Sequence, residues 1–303
     1  MKTLFFLGKG GVGKSTCSAL TALGLARAGF NCVLISLDPA HNIGDLFQRE
    51  LGSKAVRIIR GLRAVEVDRE DWLRRRLRTL EEETRRSYRY LTAFNLDHHF
   101  SLFRHAPGLE NAALLLAFED AIRRHADSDY LLVDMPPTAS AMSFFTGPLL
   151  EVFWLEKLRG LRREILEKRE LITRIKLGKR EIMTDKILGR LERSIARSKG
   201  LLDFFRDSAA CRMVLILNPG RLSLAEAGDI LSELSDAGMG PQQVLLNKSK
   251  EKGEDEENFE GIPLCRMVRI DPPPVGLSDL ERALGSFPLS QVAGSVVHYR
   301  HGG

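Results

Sequence analysis

The chain has 303 residues, of which 44% are hydrophobic and 28% are charged. This composition excludes a disordered chain, a collagen-like repeat and a small protein stapled by disulfides. Lys and Arg number 45 against 40 for Asp and Glu, which gives a net charge of +5 at pH 7. Because residues 156–206 alone hold 16 basic and 8 acidic side chains, the positive charge belongs to one segment and does not indicate a nucleic-acid-binding protein.

Continuous apolar runs bounded by loop residues predict strands that are buried on both faces of a parallel sheet. In chain order these runs are residues 4–7, 32–37, 130–133, 213–217 and 244–246. The first run leads through a glycine-rich turn into a helix predicted over residues 15–28, and Gly29 is expected to end that helix. This order, together with the GxxxxGK[ST] pattern of residues 8–15 in the glycine-rich turn, predicts an α/β fold, a doubly wound and mainly parallel sheet of the P-loop NTPase type.

Helical patterns dominate the middle of the chain on both sides of the strand that ends near Asp134. Residues 72–90 are rich in Arg and Glu, and residues 109–125 have an apolar face. We therefore predict one P-loop domain over residues 1–303. A helical subdomain is expected to be inserted in two pieces, at about 69–126 and 139–206.

The cysteines and the apolar segments indicate the compartment. The four cysteines form no CxxC pair, so the sequence predicts neither disulfides nor a zinc ribbon and is typical of a reducing compartment. The N-terminal apolar run is too short for a signal peptide. The longest apolar stretch, residues 139–155, is interrupted by Gly147 and Pro148 and does not indicate a membrane span. We therefore expect a cytoplasmic protein.

Residues 8–15 read GKGGVGKS and satisfy the phosphate-loop motif GxxxxGK[ST] between a predicted strand and a predicted helix. In such a loop, backbone N–H groups and the N-terminus of the helix bind phosphate oxygens. Lys14 is expected to reach the β- and γ-phosphates, and the Ser15 hydroxyl is expected to ligate Mg²⁺. The predicted nucleotide-binding residues of the loop are Gly8, Gly10, Gly11, Val12, Gly13, Lys14, Ser15 and Thr16.

A second lysine, Lys9, lies inside the loop and has no role in an ordinary phosphate loop. It marks a deviant class in which this side chain reaches a nucleotide bound by the facing subunit. The alternative is a solvent-exposed loop lysine. We therefore predict a homodimer in which Lys9 and Lys14 both act in catalysis.

Residues 38–45 read DPAHNIGD. Together with the loop GKGGVGKST, this segment resembles the Get3/ArsA family of ATPases, whose members have a deviant phosphate loop and a switch I of the form DPAHNxxD. Further segments similar to the family follow in the same order: PGLE at 107–110, DMPPT at 134–138 (switch II), LSLAE at 222–226, VLLNK at 244–248, and a closing segment at 262–264 and 277–284. The resemblance covers about residues 1–285, and only the helical middle has no motif that aligns.

The resemblance implies roles for side chains around the nucleotide. Asp45 would orient or deprotonate the attacking water, although the same residue could instead cap the helix near Leu46. Glu226 and Asn247 would contact the ribose and the base.

The resemblance also implies the cofactors, ATP and Mg²⁺. Asp38 and Asp134 would hold the metal through water, together with the Ser15 hydroxyl, because magnesium keeps several waters and uses few protein ligands. Asp134 ends an apolar strand, and in α/β sheets ligands bind beyond the carboxyl ends of the strands.

Residues 247–250 read NKSK, which is similar to NKxD, the motif that selects guanine. The fourth position is Lys250, so the carboxylate that would accept hydrogen bonds from guanine N1 and N2 is missing. The sequence therefore favours ATP over GTP.

Three departures from the family pattern affect the expected function. Residues 139–141 read ASA where the family's switch II continues GHT, so the link between hydrolysis and helix movement is open. The eukaryotic branch has a zinc-binding CxxC pair at the dimer interface, and this chain has none, so we expect no zinc. Residues 69–210 contain no cysteine, whereas a soft metalloid needs clustered thiolates.

Two functions stay open. The first is a nucleotide-driven homodimeric switch whose helical segments form an apolar groove for a hydrophobic client, such as a tail-anchored membrane protein. The second is the ATPase subunit that drives an arsenite or other anion efflux pump. Apolar residues of the helical middle could line the groove or could pack a closed core: Phe94, Leu96, Phe100, Leu102, Phe103, Met142, Phe144, Phe145, Leu149, Leu150, Phe153 and Trp154.

Overall fold

The computed structural model describes residues 1–40, 42–87, 108–177, 185–249, 259 and 261–294, and its strands form one eight-stranded sheet. In chain order the strands are β1 (Lys2–Leu7), β2 (Cys32–Ser36), β3 (Val56–Ile59), β4 (Leu62–Glu66), β5 (Tyr130–Asp134), β6 (Cys211–Leu217), β7 (Gln243–Ser249) and β8 (Leu264–Val268). Their order across the sheet is β3-β4-β2-β5-β1-β6-β7-β8. Neighbouring strands are parallel except β3 and β4, which confirms the predicted mainly parallel α/β sheet.

Helices cover both faces of this sheet. In chain order the described helices are α1 (Lys14–Arg27), α2 (Asn42–Phe47), α3 (Arg69–Ser87), α4 (Leu109–Arg124), α5 (Thr138–Leu177), α6 (Lys186–Arg206), α7 (Arg221–Asp236), α8 (Leu277–Leu284) and α9 (Leu289–Ala293). Buried residues of α1, α2, α8 and α9 pack on one face, and those of α4 to α7 pack on the other. The strands between them are therefore buried on both sides, as their continuous apolar runs predict.

Strand β1 shows how the two cores form. Its side chains alternate between faces, so Leu4 and Phe6 join the core under α1 while Phe5 and Leu7 join the opposite core. The centroid of the Phe5 ring lies 5.1 to 6.2 Å from the ring centroids of four other phenylalanines, which belong to α4, α5 and α6. They are Phe118, Phe144, Phe145 and Phe205. This aromatic cluster packs three long helices against the centre of the sheet.

All five strands predicted from apolar runs are confirmed. Strands β3, β4 and β8 were not among the predicted runs, because polar residues such as Arg63 and Arg266 interrupt them. Helix α1 covers the predicted segment within one residue, and Gly29 follows it with a φ of +98°, a left-handed conformation that favours glycine.

Long helices also form the predicted helical middle. Helix α3 covers residues 72–87 of the predicted segment 72–90, and the last three residues of that segment lie outside the described residues. Helix α4 covers the predicted segment 109–125 within one residue. Helices α5 and α6 are joined by ion pairs between Arg162 and Asp185 and between Lys199 and Glu156. The division into an inserted subdomain stays a prediction. No described helix combines the length and the apolar character that crossing a membrane requires.

Candidate nucleotide-binding site

The phosphate loop connects β1 to α1, and its glycines allow close packing. Gly13, with a φ of +98°, is the residue before α1. A Cβ on Gly13 would lie 2.4 Å from Asn247 Nδ2, and one on Gly8 would lie 2.3 Å from the carbonyl oxygen of Ile216. Neither position has room for a side chain, so the loop can lie against β6 and β7 only with glycine there.

The loop borders a cavity of about 550 Å³, a size typical of sites for cofactor-sized ligands. The cavity lies at the carboxyl edge of the sheet, where α/β proteins of this kind bind their ligands. The residues around it are Gly10, Gly11, Gly13, Lys14, Ser15, Thr16, Asp38, Ala40, Asn42, Leu46, Pro137, Asn247, Lys248, Met267, Arg269, Ile270, Pro273 and Pro274.

Asp134, the last residue of β5, accepts hydrogen bonds from two hydroxyl groups. Ser15 Oγ donates to Asp134 Oδ2 at 2.7 Å, and Ser36 Oγ donates to the same oxygen at 3.4 Å. The other oxygen, Oδ1, is buried without a hydrogen-bond partner in the part of the chain that the structure describes. Burial raises the pKa of Asp134 to about 7, although the Ser15 hydroxyl and the Lys14 ammonium oppose this shift.

Asp38 follows β2 and completes an oxygen-rich group at this end of the cavity. Its Oδ1 accepts from the Ala40 backbone N–H at 3.0 Å, and its own N–H donates to Ser36 Oγ at 3.3 Å. A hydroxyl and two carboxylates, one of which has an unpartnered buried oxygen, are the hard donors that suit Mg²⁺. The residues present therefore fit the predicted metal.

The two loop lysines point in different directions. Lys14 is 5% exposed, and its ammonium donates to the carbonyl oxygen of Lys9 at 3.2 Å. Lys9 Nζ instead lies 2.5 Å from Glu226 Oε1, and both of these side chains are partly exposed. Lys9 and Glu226 line a second depression of about 350 Å³, which also borders Gly10 and Pro137. Lys9 thus lies outside the cavity that borders Lys14.

The structure brings most of the predicted residues together, but Glu226 and Asp45, like Lys9, are not among the described residues that line the main cavity. Glu226, predicted to contact the ribose or base, pairs with Lys9 and is not among the described residues that line the main cavity. Asp45 is exposed in the first turn of α2, beside the lining residue Leu46. Both assignments stay predictions.

Sequence reasoning missed several residues that support the site. Ser36 ends β2 two positions before Asp38, and this spacing could have indicated it. Glu66 ends β4 at the same edge of the sheet and accepts a hydrogen bond from the Gly44 backbone N–H at 2.8 Å, which holds α2. Lys248 donates to the carbonyl oxygen of Gly11 at 2.9 Å, and Arg269 borders the cavity after β8. Lys248 lies inside the NKSK segment, where it was given no role, and no motif singled out Arg269.

The fold and the loop define the class of protein. A strand, a GxxxxGK[ST] loop and a helix at the carboxyl edge of a doubly wound parallel sheet are the defining unit of the P-loop NTPases. Residues 1–267 match the model of the family described as "Anion-transporting ATPase". The chain belongs to this family of ATPases.

Curated relatives bear two kinds of name. A protein of Aquifex aeolicus, whose name includes "arsenical pump-driving ATPase 2", is 26% identical over 261 residues, which cover 85% of this chain and 83% of the relative. "ATPase GET3A" of Arabidopsis thaliana is 28% identical over 271 residues, covering 85% of this chain and 70% of the relative. "ATPase GET3" of Malassezia globosa is 25% identical over 252 residues, covering 82% and 72%.

Proposed function

We propose that the protein is a Mg²⁺-dependent ATPase that works as a homodimeric switch and handles a hydrophobic client, such as a tail-anchored membrane protein. One observation supports this most directly. Helix α5 begins four residues after Asp134, at the candidate nucleotide cavity, and continues into a stripe of exposed apolar side chains. A single helix therefore connects the candidate nucleotide cavity to a surface suited to a hydrophobic partner.

The stripe consists of large apolar residues that are between 39% and 64% exposed: Leu149, Leu150, Phe153, Trp154, Leu158, Leu161, Ile165 and Leu171 on α5, with Ile187 on α6. Along α5 they recur at helical spacing, so many of them share one face. An exposed apolar patch of this size marks an interaction site. We name these nine residues the α5 stripe.

The predicted groove residues divide into three groups. Leu149, Leu150, Phe153 and Trp154 belong to the α5 stripe. Met142, Phe144 and Phe145 are buried in the core, so the idea that they line an exposed groove is wrong. The other five, at positions 94 to 103, lie outside the described residues.

The length of the α5 stripe supports a particular kind of client. At 1.5 Å per residue, the helix from Leu150 to Leu171 spans about 32 Å. The hydrocarbon core of a membrane is about 30 Å thick. A transmembrane helix laid along α5 would therefore match the stripe in length and in apolar character.

The predicted site residues have distinct parts in the proposed hydrolysis. Lys14 and the N–H groups of the phosphate loop bind the β- and γ-phosphates, while Asp45 positions the attacking water. Lys9 of the facing subunit neutralises charge that develops on the phosphates. Mg²⁺, held by Ser15, Asp38 and Asp134, would add positive charge next to the phosphate oxygens when bound.

Client binding can be tested with a fluorescent peptide that contains a 20-residue Leu-rich segment, kept soluble in mild detergent. Trp154→Ser combined with Leu158→Ser removes the centre of the α5 stripe and should weaken peptide binding by about tenfold or more. ATP hydrolysis without peptide should stay unchanged. Glu164→Ser, on the same helix, is the matched control and should bind the peptide normally. Equal affinity of the double variant and the control would contradict the proposal.

The pump-driving function is the second candidate, because relatives in Aquifex aeolicus and in Prosthecochloris vibrioformis have "arsenical pump-driving ATPase" in their names. The thiols of this chain disfavour it. Cys17, Cys32, Cys211 and Cys265 are all buried, and burial raises the pKa of the last three to about 12. Thiolates are the form that binds metalloids and metals.

The response to arsenite separates the two candidates. We expect arsenite to leave the ATPase rate unchanged and purified protein to hold no stoichiometric zinc by metal analysis. Several-fold stimulation by arsenite, lost in Cys211→Ser or Cys265→Ser, would favour the pump-driving function instead.

A further inference from the structure

A buried carboxylate holds the short helix that includes Asp45. Glu66, the last residue of β4, is 7% exposed, and its Oε1 accepts a hydrogen bond from the Gly44 backbone N–H at 2.8 Å. The backbone N–H of Glu66 donates to the carbonyl oxygen of Gly52 at 3.1 Å, which fixes the end of β4. Because Gly44 directly precedes Asp45 in the first turn of α2, the Glu66 carboxylate anchors the backbone next to Asp45.

The packing around Gly44 leaves no room for a side chain. A Cβ at this position would lie 2.9 Å from the carbonyl oxygen of Arg49 and 3.5 and 3.7 Å from the two carboxylate oxygens of Glu66. The carbonyl oxygen of Gly44 also accepts from the Arg49 backbone N–H at 3.0 Å. The contact between α2 and β4 at this point is therefore made directly by a backbone group and a buried carboxylate.

The other end of α2 is held by a different part of the chain. The backbone N–H of Gly276, directly before α8, donates to the carbonyl oxygen of Leu46 at 2.9 Å. A Cβ on Gly276 would lie 2.9 Å from Gln48 Oε1, so this contact is also close. Asn42 and Leu46, on the same helix, line the candidate nucleotide cavity. Two anchors, one in the first turn and one near the end, therefore set the position of α2 relative to the cavity.

The position of α2 matters for hydrolysis because Asp45 belongs to it. A general base must lie within hydrogen-bond reach of the proton that it takes. A displacement of about 1 Å, even one caused by a change far from the reacting atoms, can lower a rate by about 100-fold. Glu66 is not among the described residues that line the cavity. It can therefore influence the reaction through the position of α2 without contacting the nucleotide.

We propose that Glu66 is a positioning residue for ATP hydrolysis. Its carboxylate holds the Gly44 N–H and thereby keeps Asp45 where it can act on the attacking water. The inference rests on the proposed function, in which Asp45 has that role. It adds to the site a residue of β4, a strand that lies three places from β1 and its phosphate loop in the sheet. A buried charge needs hydrogen bonds to offset its desolvation, and the bond to Gly44 thus serves both stability and catalysis.

Replacement of Glu66 should separate kcat from KM in a phosphate-release assay with Mg²⁺-ATP. Glu66→Leu removes the acceptor but keeps a side chain of similar size, and it should lower kcat by about tenfold to 100-fold. The KM and the Kd of ATP should stay within about threefold of the wild type, because Lys14 and the loop N–H groups still bind the phosphates. Glu66→Gln keeps an oxygen that can accept from Gly44, so it should recover most of the lost kcat.

Asp129→Leu is the matched control for the loss of a hydrogen bond between a carboxylate and the backbone. Asp129 directly precedes β5 at the opposite edge of the sheet, and its Oδ2 accepts from the Asn31 backbone N–H at 2.8 Å. This variant should keep the wild-type kcat even if its melting temperature falls as far as that of Glu66→Leu. Hydrogen exchange followed by mass spectrometry should show faster exchange of residues 42–49 in Glu66→Leu alone. Glu66→Met replaces Glu66→Leu if that variant does not fold.

A double variant separates this inference from the proposed function. If Glu66 acts through Asp45, adding Glu66→Leu to Asp45→Asn should cause no further loss of single-turnover rate. A wild-type kcat in Glu66→Leu, an equal loss in Glu66→Gln, or a full additional loss in the double variant would overturn the inference and leave the role of Asp45 intact. A wild-type rate in Asp45→Asn would instead overturn the proposed role of Asp45, and this inference with it.

Discussion

The Lys9 ammonium contacts the Glu226 carboxylate of its own chain, with Nζ 2.5 Å from Oε1. Both side chains border a depression next to the phosphate loop instead of the main cavity. Because the pair is partly exposed, water screens it and separating the two side chains costs little. In the proposed homodimer, Lys9 could therefore turn to the nucleotide of the facing subunit without a large loss of stability.

Lys9→Ala should bind ATP almost normally through Lys14 yet hydrolyse it poorly, because the charge it supplies to the opposite nucleotide is lost. Mixing Lys9→Ala with Asp45→Asn tests the direction of action by a phosphate-release assay. A heterodimer pairs an intact Asp45 site with an intact Lys9 from its neighbour, so activity should return at one of its two sites. No recovery, with subunit exchange confirmed by mass spectrometry, would mean that Lys9 acts within its own chain or not at all.

Lys14→Ala should weaken the binding of Mg²⁺-ATP by about 100-fold, because a hydrogen bond to a charged group contributes about 1.5–3 kcal/mol. Titration calorimetry measures the change. Lys2→Ala, at the amino end of β1 and outside the cavity lining, is the matched control and should bind as the wild type does. Comparable affinity in the two variants would remove Lys14 from the phosphate site.

Asp45→Asn should retain ATP but lose turnover by about 10²- to 10⁴-fold, the contribution of a positioned general base. Asp45 is exposed in this structure, so its replacement should leave the melting temperature unchanged. Asp236→Asn, also exposed and at the end of α7, should hydrolyse ATP at the wild-type rate. If Asp45→Asn shows the same rate, Asp45 has no part in catalysis.

Two aromatic residues of α5 should respond differently to truncation. Phe144→Ala opens a cavity in the cluster around Phe5 and should lower the free energy of unfolding by about 3–5 kcal/mol. Trp154 is 64% exposed, so Trp154→Ala should change the free energy of unfolding by at most about 0.5 kcal/mol. Urea unfolding followed by circular dichroism gives both values. A large loss in Trp154→Ala would show that the α5 stripe packs against the protein itself.

Stability should depend on pH through His125 at the end of α4. Burial, with Arg63 and Arg124 nearby, lowers the pKa of His125, although Asp127 and Asp120 oppose this shift. The unfolded state therefore binds the proton more readily, and the contribution to stability is lost as pH falls through about 6.5. Urea unfolding at about pH 8 and about pH 5.5 measures this loss, which His125→Gln should reduce. An unchanged pH slope in that variant would assign the loss to other groups.

The central strands of the sheet could be predicted from the sequence alone. Strands β1, β2, β5, β6 and β7 are buried on both faces, and such strands show short continuous apolar runs bounded by loop residues. The phosphate loop could also be predicted from the sequence, because its motif depends on glycines that no other residue can replace. A Cβ on Gly8, for example, would lie only 2.3 Å from the nearest backbone oxygen.

The edges of the sheet, and the cavity wall formed by residues at the ends of β7 and β8, could not be predicted from the sequence in this way. Strand β4 includes Arg63, whose charged end reaches Ser128, so its apolar pattern is interrupted. Lys248 is in β7 and Arg269 follows β8, yet both line the same cavity. They are close together only because β7 and β8 are neighbours in the sheet. Side chains that meet through tertiary topology leave no local pattern in the sequence.

Helix α5 also has a mechanical consequence. Its first residues are anchored in the core beside the nucleotide cavity, and the segment from Thr138 to Leu171 is about 50 Å long at 1.5 Å per residue. A rotation of about 10° at the anchored end would move the far end by about 9 Å, nearly the diameter of a helix. In the proposed switch, α5 would therefore act as a lever arm that converts a small displacement at the nucleotide cavity into one of about 9 Å at its exposed apolar end.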